Sequence, residues 1–256
     1  MLPSPWILAG VFLLGVLSGF LNTLAAGGTL LTLPLLTLLG LDLAVANGTN
    51  RVAILLQSAA GAWAFRREGL LPLRRAFRLA VPATLGALCG TLGVLRLPRE
   101  ALSPVAGAII LLLALSLLFR PSLWETPRHT PASPAGVFAA LFLAGAYGGF
   151  LQAGVGIVLS WALVGAGGMD LVRSNGVRTV LVGCYTLASL ALFLRADLVN
   201  LPVGLVLAGG SMVGAVLGAR ASVSKGNPWI RRALGLAAGV SALQMLWQAP
   251  GWFNGL

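Results

Sequence analysis

The chain has 256 residues, 58% of them hydrophobic and only 9% charged, with 34 Gly, 14 Pro and a mean hydropathy of +0.94. A soluble domain carries about a quarter charged residues, so this is the composition of an integral membrane protein. Spans of about 20 apolar residues use up the length and leave no segment for an appended catalytic domain. Seventeen basic residues against six acidic give a net charge of +11. In a soluble chain that would suggest nucleic acid; in a polytopic one it marks cytoplasmic loops, and no nucleic-acid partner is expected.

No basic residue precedes the first apolar run, and the first positive charge is Arg51, so the opening run reads as a retained helix rather than a cleaved signal. Apolar runs bounded by Pro, Gly or charge predict helices at 5–24, 28–40, 42–66, 72–95, 101–119, 134–152, 156–167, 170–194, 199–220 and 229–247. Residues 28–40 and 156–167 would rise only about 18 Å against roughly 30 Å of hydrocarbon, so they read as half-helices. Each follows a Gly-rich break, Ala25-Ala26-Gly27-Gly28 in one case and Gly154-Val155-Gly156 in the other.

The sequence repeats itself at an offset of 128 residues. Gly40-Leu41-Asp42-Leu43 recurs as Gly168-Met169-Asp170-Leu171, Asn47-Gly48 as Asn175-Gly176, Phe65 as Phe193, and Gly86-Ala87-Leu88-Cys89-Gly90 as Gly214-Ala215-Val216-Leu217-Gly218. Upstream, Gly19-Phe20-Leu21-Asn22 resembles Gly149-Phe150-Leu151-Gln152, shifted by two further residues. One transmembrane domain, 1–256, therefore divides into a first repeat, 1–119, a hydrophilic linker, 120–133, and a second repeat, 134–256. If each half has four spans, basic residues split eight against six between the two sides. If the short helices complete crossings, five segments per half gather eleven on one side and leave Arg96, Arg99 and Arg195 on the other. The positive-inside rule prefers the second arrangement. The expected fold is thus an all-α polytopic membrane protein of two inverted repeats, 8 to 10 transmembrane segments, with broken half-helices near the midplane and both termini periplasmic.

Interrupted helices in inverted repeats imply a central cavity onto which half-helix N-termini direct N–H groups. Gly27, Gly28, Gly154 and Gly156 allow close backbone approach there, and Asn22, Thr23, Thr29 and Gln152 can face it. A second cluster is Asn47-Gly48-Thr49-Asn50-Arg51 with its partner Asn175-Gly176-Val177-Arg178. An arginine inside a membrane usually faces a cavity, and its fork of donors matches an oxyanion; alternatively, Arg51 and Arg178 snorkel or pair with Asp42 or Asp170. The two aspartates read as helix N-caps. Glu68, Glu100, Glu125 and Asp197 fall in predicted loops, which leaves no intramembrane proton relay. His129 lies alone in the linker and Cys89 and Cys184 lie in different halves, so no metal, cofactor or catalytic constellation is expected and an enzyme is disfavoured.

The stretch Gly19-Phe20-Leu21-Asn22-Thr23-Leu24-Ala25-Ala26-Gly27-Gly28, with Leu33-Pro34, Gly40 and Ala46-Asn47-Gly48-Thr49-Asn50-Arg51, resembles the sulfite exporter TauE/SafE family, also called the toluene sulfonate uptake permease family. The resemblance implies a bacterial inner-membrane permease for a small sulfur-containing anion such as sulfite, sulfoacetate or another organosulfonate. It also implies a pathway lined by Ala25 to Thr29 and Thr49 to Arg51, with the lipid bilayer as partner and a homodimer left open. The sequence departs from the family pattern at Ala25-Ala26 and at Val177. Export is the favoured direction, because a potential negative inside drives anions out; a channel-like anion pore and an ion-coupled uptake permease for another small organic anion are the alternatives. Arg51→Ala is expected to abolish anion binding with folding intact.

Overall fold

The computed structural model describes residues 5–25, 28–98, 132–152 and 154–226, and all regular structure among them is helical. In chain order the helices are α1 (Pro5–Ala25), α2 (Thr29–Leu38), α3 (Leu43–Arg67), α4 (Leu73–Arg96), α5 (Pro134–Phe150), α6 (Val155–Trp161, continued by a π-helical turn Ala162–Ala166), α7 (Leu171–Arg195) and α8 (Leu201–Gly226). The predicted helices 101–119 and 229–247 and most of the predicted linker lie outside the described residues. The short elements are short as expected, since α2 has 10 residues and α6 has 7 before its π turn.

Local chemistry sets several helix ends. The Ser133 hydroxyl accepts the Gly136 N–H at 3.2 Å, with Pro134 in the first turn of α5. Asp170 caps α7 by accepting the Arg173 N–H at 2.9 Å. Asp42 departs from expectation: it occupies the N-cap position of α3, but its side chain makes no capping bond.

Helices α1, α4, α7 and α8 are long and apolar enough to cross a bilayer, and α5 is a shorter apolar helix. α3 has 25 residues but carries polar groups through its first half. Every residue from Ala46 to Ile54 is buried, as is every residue of α7 from Ser174 to Leu181. These two helices form the polar centre of the molecule, while Leu13, Leu143 and Leu205 are exposed on the surrounding helices and Leu187 on the second half of α7.

Residues 128 apart make matching contacts. A Cβ on Gly48 of α3 would strike the Phe193 ring and the Leu198 carbonyl, and one on Gly176 of α7 would sit against Phe65 and the Leu70 carbonyl. The start of each helix thus lies beside the end of the other, so the two equivalent helices run antiparallel. The outer seams are also reciprocal. Gly210 and Gly214 of α8 abut the carbonyls of Phe12 and Val16 on α1, while Gly86 and Gly90 of α4 abut those of Phe142 and Ala146 on α5. Small residues let these backbones approach as they do at membrane helix pairs. The first helix of each half therefore packs on the fourth helix of the other.

Candidate substrate site at the junction of the broken helices

The last carbonyls of a helix lack intrahelical partners, and α1 and α5 both end inside the molecule. Their carbonyls are held by side chains from the opposite half. Arg178 of α7 donates through Nη2 to the carbonyls of Asn22 (2.8 Å) and Thr23 (3.1 Å), and Asn175 Nδ2 donates to Leu24 O at 3.1 Å. On the other side, Arg51 Nη2 donates to the Gly149 (2.6 Å) and Gly148 (3.3 Å) carbonyls, and Asn47 Nδ2 to Phe150 O at 3.0 Å. A cation at a helix C-terminus also complements the helix dipole. The Asn-Gly stretches of the sequence are therefore clamps, each gripping the broken helix of the other half.

The correspondence extends to the short helices. Arg178 Nη1 donates to Ser160 Oγ at 2.7 Å, while at the equivalent place the Thr32 hydroxyl donates to Asn50 Oδ1 at 3.0 Å. Asn22 Oδ1 accepts the Thr29 N–H at 3.1 Å, so one N–H at the start of α2 is taken up within the protein instead of facing a cavity. Gly154 precedes α6 with φ of +69°, a left-handed conformation that glycine adopts without strain.

Between the two breaks lies a cavity of about 30 Å³. Asn22, Thr23, Thr29, Ile54, Gln57 and Ser58 line it from the first half, and Gln152, Val155, Gly156, Arg178, Thr179 and Val182 from the second. Of the residues singled out from sequence, Asn22, Thr23, Thr29, Gln152, Gly156 and Arg178 come together here. Gly28, Asn47, Thr49, Asn50, Arg51, Gly154 and Asn175 stand behind or beside the wall, and Gly27 lies outside the described residues. Thr49 instead accepts the Asn200 N–H at 2.9 Å, and a Cβ on Gly28 would strike the Ser18 carbonyl. Gln57 and Ser58 were missed, although each follows a polar residue of the first cluster, Asn50 and Arg51, by seven positions, which is two helical turns. Gln57 Oε1 accepts from Asn22 Nδ2 at 3.3 Å, and Gln152 Nε2 donates to the Thr186 hydroxyl at 2.8 Å.

Charge is the distinguishing property of this centre. Arg51 and Arg178 are 0% and 2% exposed, and neither is paired with a carboxylate among the described residues; Asp170 pairs with Arg173 at 3.6 Å. The snorkelling and aspartate-pairing alternatives are thereby replaced by bonds to backbone carbonyls. Among the described residues Nε and Nη1 of Arg51 have no hydrogen-bond partner, and its guanidinium lies 4.5 Å from the Phe193 ring centroid. A cation buried at membrane depth and held by backbone carbonyls is a functional-site candidate.

Comparison with known proteins identifies the family. The family model for sulfite exporter TauE/SafE matches residues 11–245. A "Probable membrane transporter protein" of Haemophilus influenzae is 30% identical over 97% of this chain and 97% of its own length. "Probable membrane transporter protein YfcA" of Escherichia coli K12 is 27% identical over 97% of this chain and 93% of the relative, and "Probable membrane transporter protein ORF9" of a Sinorhizobium species 24% over 94% and 92%. No solved structure matches the chain significantly. Apolar helices of membrane-spanning length, a polar centre with two buried arginines and a family match over most of the sequence converge: the chain is a multi-pass membrane transporter belonging to the sulfite exporter TauE/SafE family.

Proposed function

We propose that the protein exports a sulfur-containing anion, sulfite or a small organosulfonate, across the bacterial inner membrane through a site centred on Arg178. The observation that carries this reading is a buried guanidinium, without a carboxylate partner among the described residues, in the wall of a cavity shared by both halves. Guanidinium forks match the oxygen geometry of sulfite and sulfonate. Both Nη groups of Arg178 are engaged by Gly156, Ser160, Asn22 and Thr23, so a solute takes up this fork by displacing some of those bonds as the halves part. The Thr29 and Ser58 hydroxyls and the Gln57 amide supply further polar groups. Arg51 serves as a positioning group that fixes the end of α5.

The halves are proposed to be inverted repeats of five segments each, with both termini periplasmic. The antiparallel pairing of α3 and α7, equivalent at an offset of 128, supports that reading, as does the bias of basic loops. A cavity of about 30 Å³ holds one water-sized guest, so the substrate enters only when the halves part, as in transporters that rock one repeat against the other. A potential of 100 mV, negative inside, is worth about 2.3 kcal/mol per charge, roughly a 50-fold outward gradient for a monovalent anion. Export then requires no coupling ion.

Reconstitution in liposomes tests this directly. Saturable sulfite or sulfoacetate flux that reverses with the imposed potential is expected, measured against protein-free vesicles. No flux of either anion from folded protein would reject these substrates, and flux rising linearly with concentration would reject a carrier.

A further inference from the structure

A second cavity, about 360 Å³, opens where the α3–α4 loop meets the turn before α7. Gly69, Leu70, Leu71 and Pro72 line it from one half and Gly168, Met169 and Asp170 from the other, with Arg75 and Arg173 at its walls. Both arginines are exposed; Arg173 pairs with Asp170 at 3.6 Å and Arg75 Nη2 reaches the Gly167 carbonyl at 3.5 Å, so Arg75 carries the charge that no carboxylate among the described lining residues offsets.

The offset of 128 residues supplies an internal control, because the same loops recur at the opposite end of the molecule. Backbone shape is preserved there: Gly69 and Gly168 have φ of +69° and +62°, and their equivalents Asp197 and Gly40 have +54° and +85°. Charge is not preserved. Arg75 corresponds to Val203 and Arg173 to Val45, while Asp170 corresponds to Asp42 and Gly69 to Asp197. Two arginines less one aspartate leave one positive charge at the first mouth, whereas the aligned positions carry two aspartates and no arginine.

Arg173 is five residues before Arg178 on α7, so the cavity-lining arginine lies about 7.5 Å further along the same helix. We infer that this mouth is an anion-collecting vestibule, in which Arg75 and Arg173 concentrate small oxyanions and feed them to the Arg178 cavity from one face only. A cleft whose net charge is of one sign, here one positive charge in excess over Asp170, raises the local concentration and capture rate of an oppositely charged solute. The inference rests on the anion-transport reading above and adds to it a polarity of entry. The same oxyanion chemistry is offered by lipid phosphate, so the test separates the two sources.

The experiment measures sulfite flux in unidirectionally oriented proteoliposomes, with sulfite supplied at either face, for the wild type, the Arg75→Gln/Arg173→Gln double variant and an Arg74→Gln/Arg78→Gln control. The control removes charge from the same helix end without touching the cavity lining. The double variant is expected to raise the half-saturating concentration about 10-fold at the vestibule face, to leave the other face unchanged, and to lose this difference at about 1 M salt, where charges are screened within about 3 Å. The control is expected to behave as wild type. An unchanged double variant beside normal wild-type flux would overturn the vestibule alone, as would equal effects at both faces or an equal effect of the control. Absence of wild-type flux would overturn the transport reading and the vestibule with it. If phosphatidylglycerol raises half-saturation at the vestibule face of the wild type but not of the double variant, the occupant is a lipid headgroup, and the solute vestibule is overturned.

Discussion

Arg51 and Arg178 do the same mechanical task in opposite halves, yet they meet different surroundings. Each holds the carbonyl end of a broken helix from the other repeat. Arg178 also reaches Ser160 and lines the cavity, whereas Arg51 lies against Phe193, outside the cavity wall and with two nitrogens unpartnered among the described residues. The cause is a one-residue slip in the repeat: Asn50 stands where Arg178 does, and Arg51 where Thr179 does. A repeated sequence can therefore keep its symmetry in packing while breaking it in charge; in the proposed function one half recognises the solute and the other mainly braces the frame.

This contrast is breakable by substitution, and the largest effect is expected at Arg178. Losing its charge-assisted bonds is worth about 3 kcal/mol, or about 100-fold in the half-saturating concentration for sulfite, and Arg178→Gln flux kinetics check it. Steric substitution of the reciprocal seams comes next. Gly86→Leu and Gly214→Leu each drive a side chain into a partner carbonyl and should cost about 3 kcal/mol, equally in both halves, read as a loss of melting temperature in detergent. Arg51→Gln should change half-saturation by less than about 10-fold, which is about 1.4 kcal/mol, while lowering the melting temperature because the Gly148 and Gly149 carbonyls lose their donor. A 100-fold loss without destabilisation would make Arg51 a direct ligand and erase the contrast. The smallest effect is expected for Gln57→Leu, which removes one neutral hydrogen bond to Asn22, worth about 1 kcal/mol or several-fold in half-saturation.

Hydrophobic runs and their punctuation made the helices legible, with observed ends near those expected: α3 at Leu43–Arg67 against 42–66, α7 at Leu171–Arg195 against 170–194. α8 was the weakest, running to Gly226 where 220 was expected, because Arg220 was read as a boundary although the helix continues past it. The cluster around Asn47 and Asn175 was legible as special, since polar residues inside apolar helices are costly. Its task was not. Sequence cannot show that Asn47 reaches Phe150 or Asn175 reaches Leu24 across the fold, so these residues read as substrate ligands and their grip on the helix ends was not legible. Gln57 escaped because it lies beyond the motif, and only its turn-by-turn spacing from Asn50 betrays that it shares a face with it.

The most direct test of the central claim is potential-driven sulfite flux measured side by side for the wild type, Arg178→Gln and Arg51→Gln in vesicles of one composition, each protein shown by its melting profile to be folded. The account predicts saturable wild-type flux, near-complete loss at micromolar to millimolar sulfite for Arg178→Gln, and substantial flux retained by Arg51→Gln. Undiminished flux in Arg178→Gln, or a larger loss in Arg51→Gln than in Arg178→Gln, would contradict it.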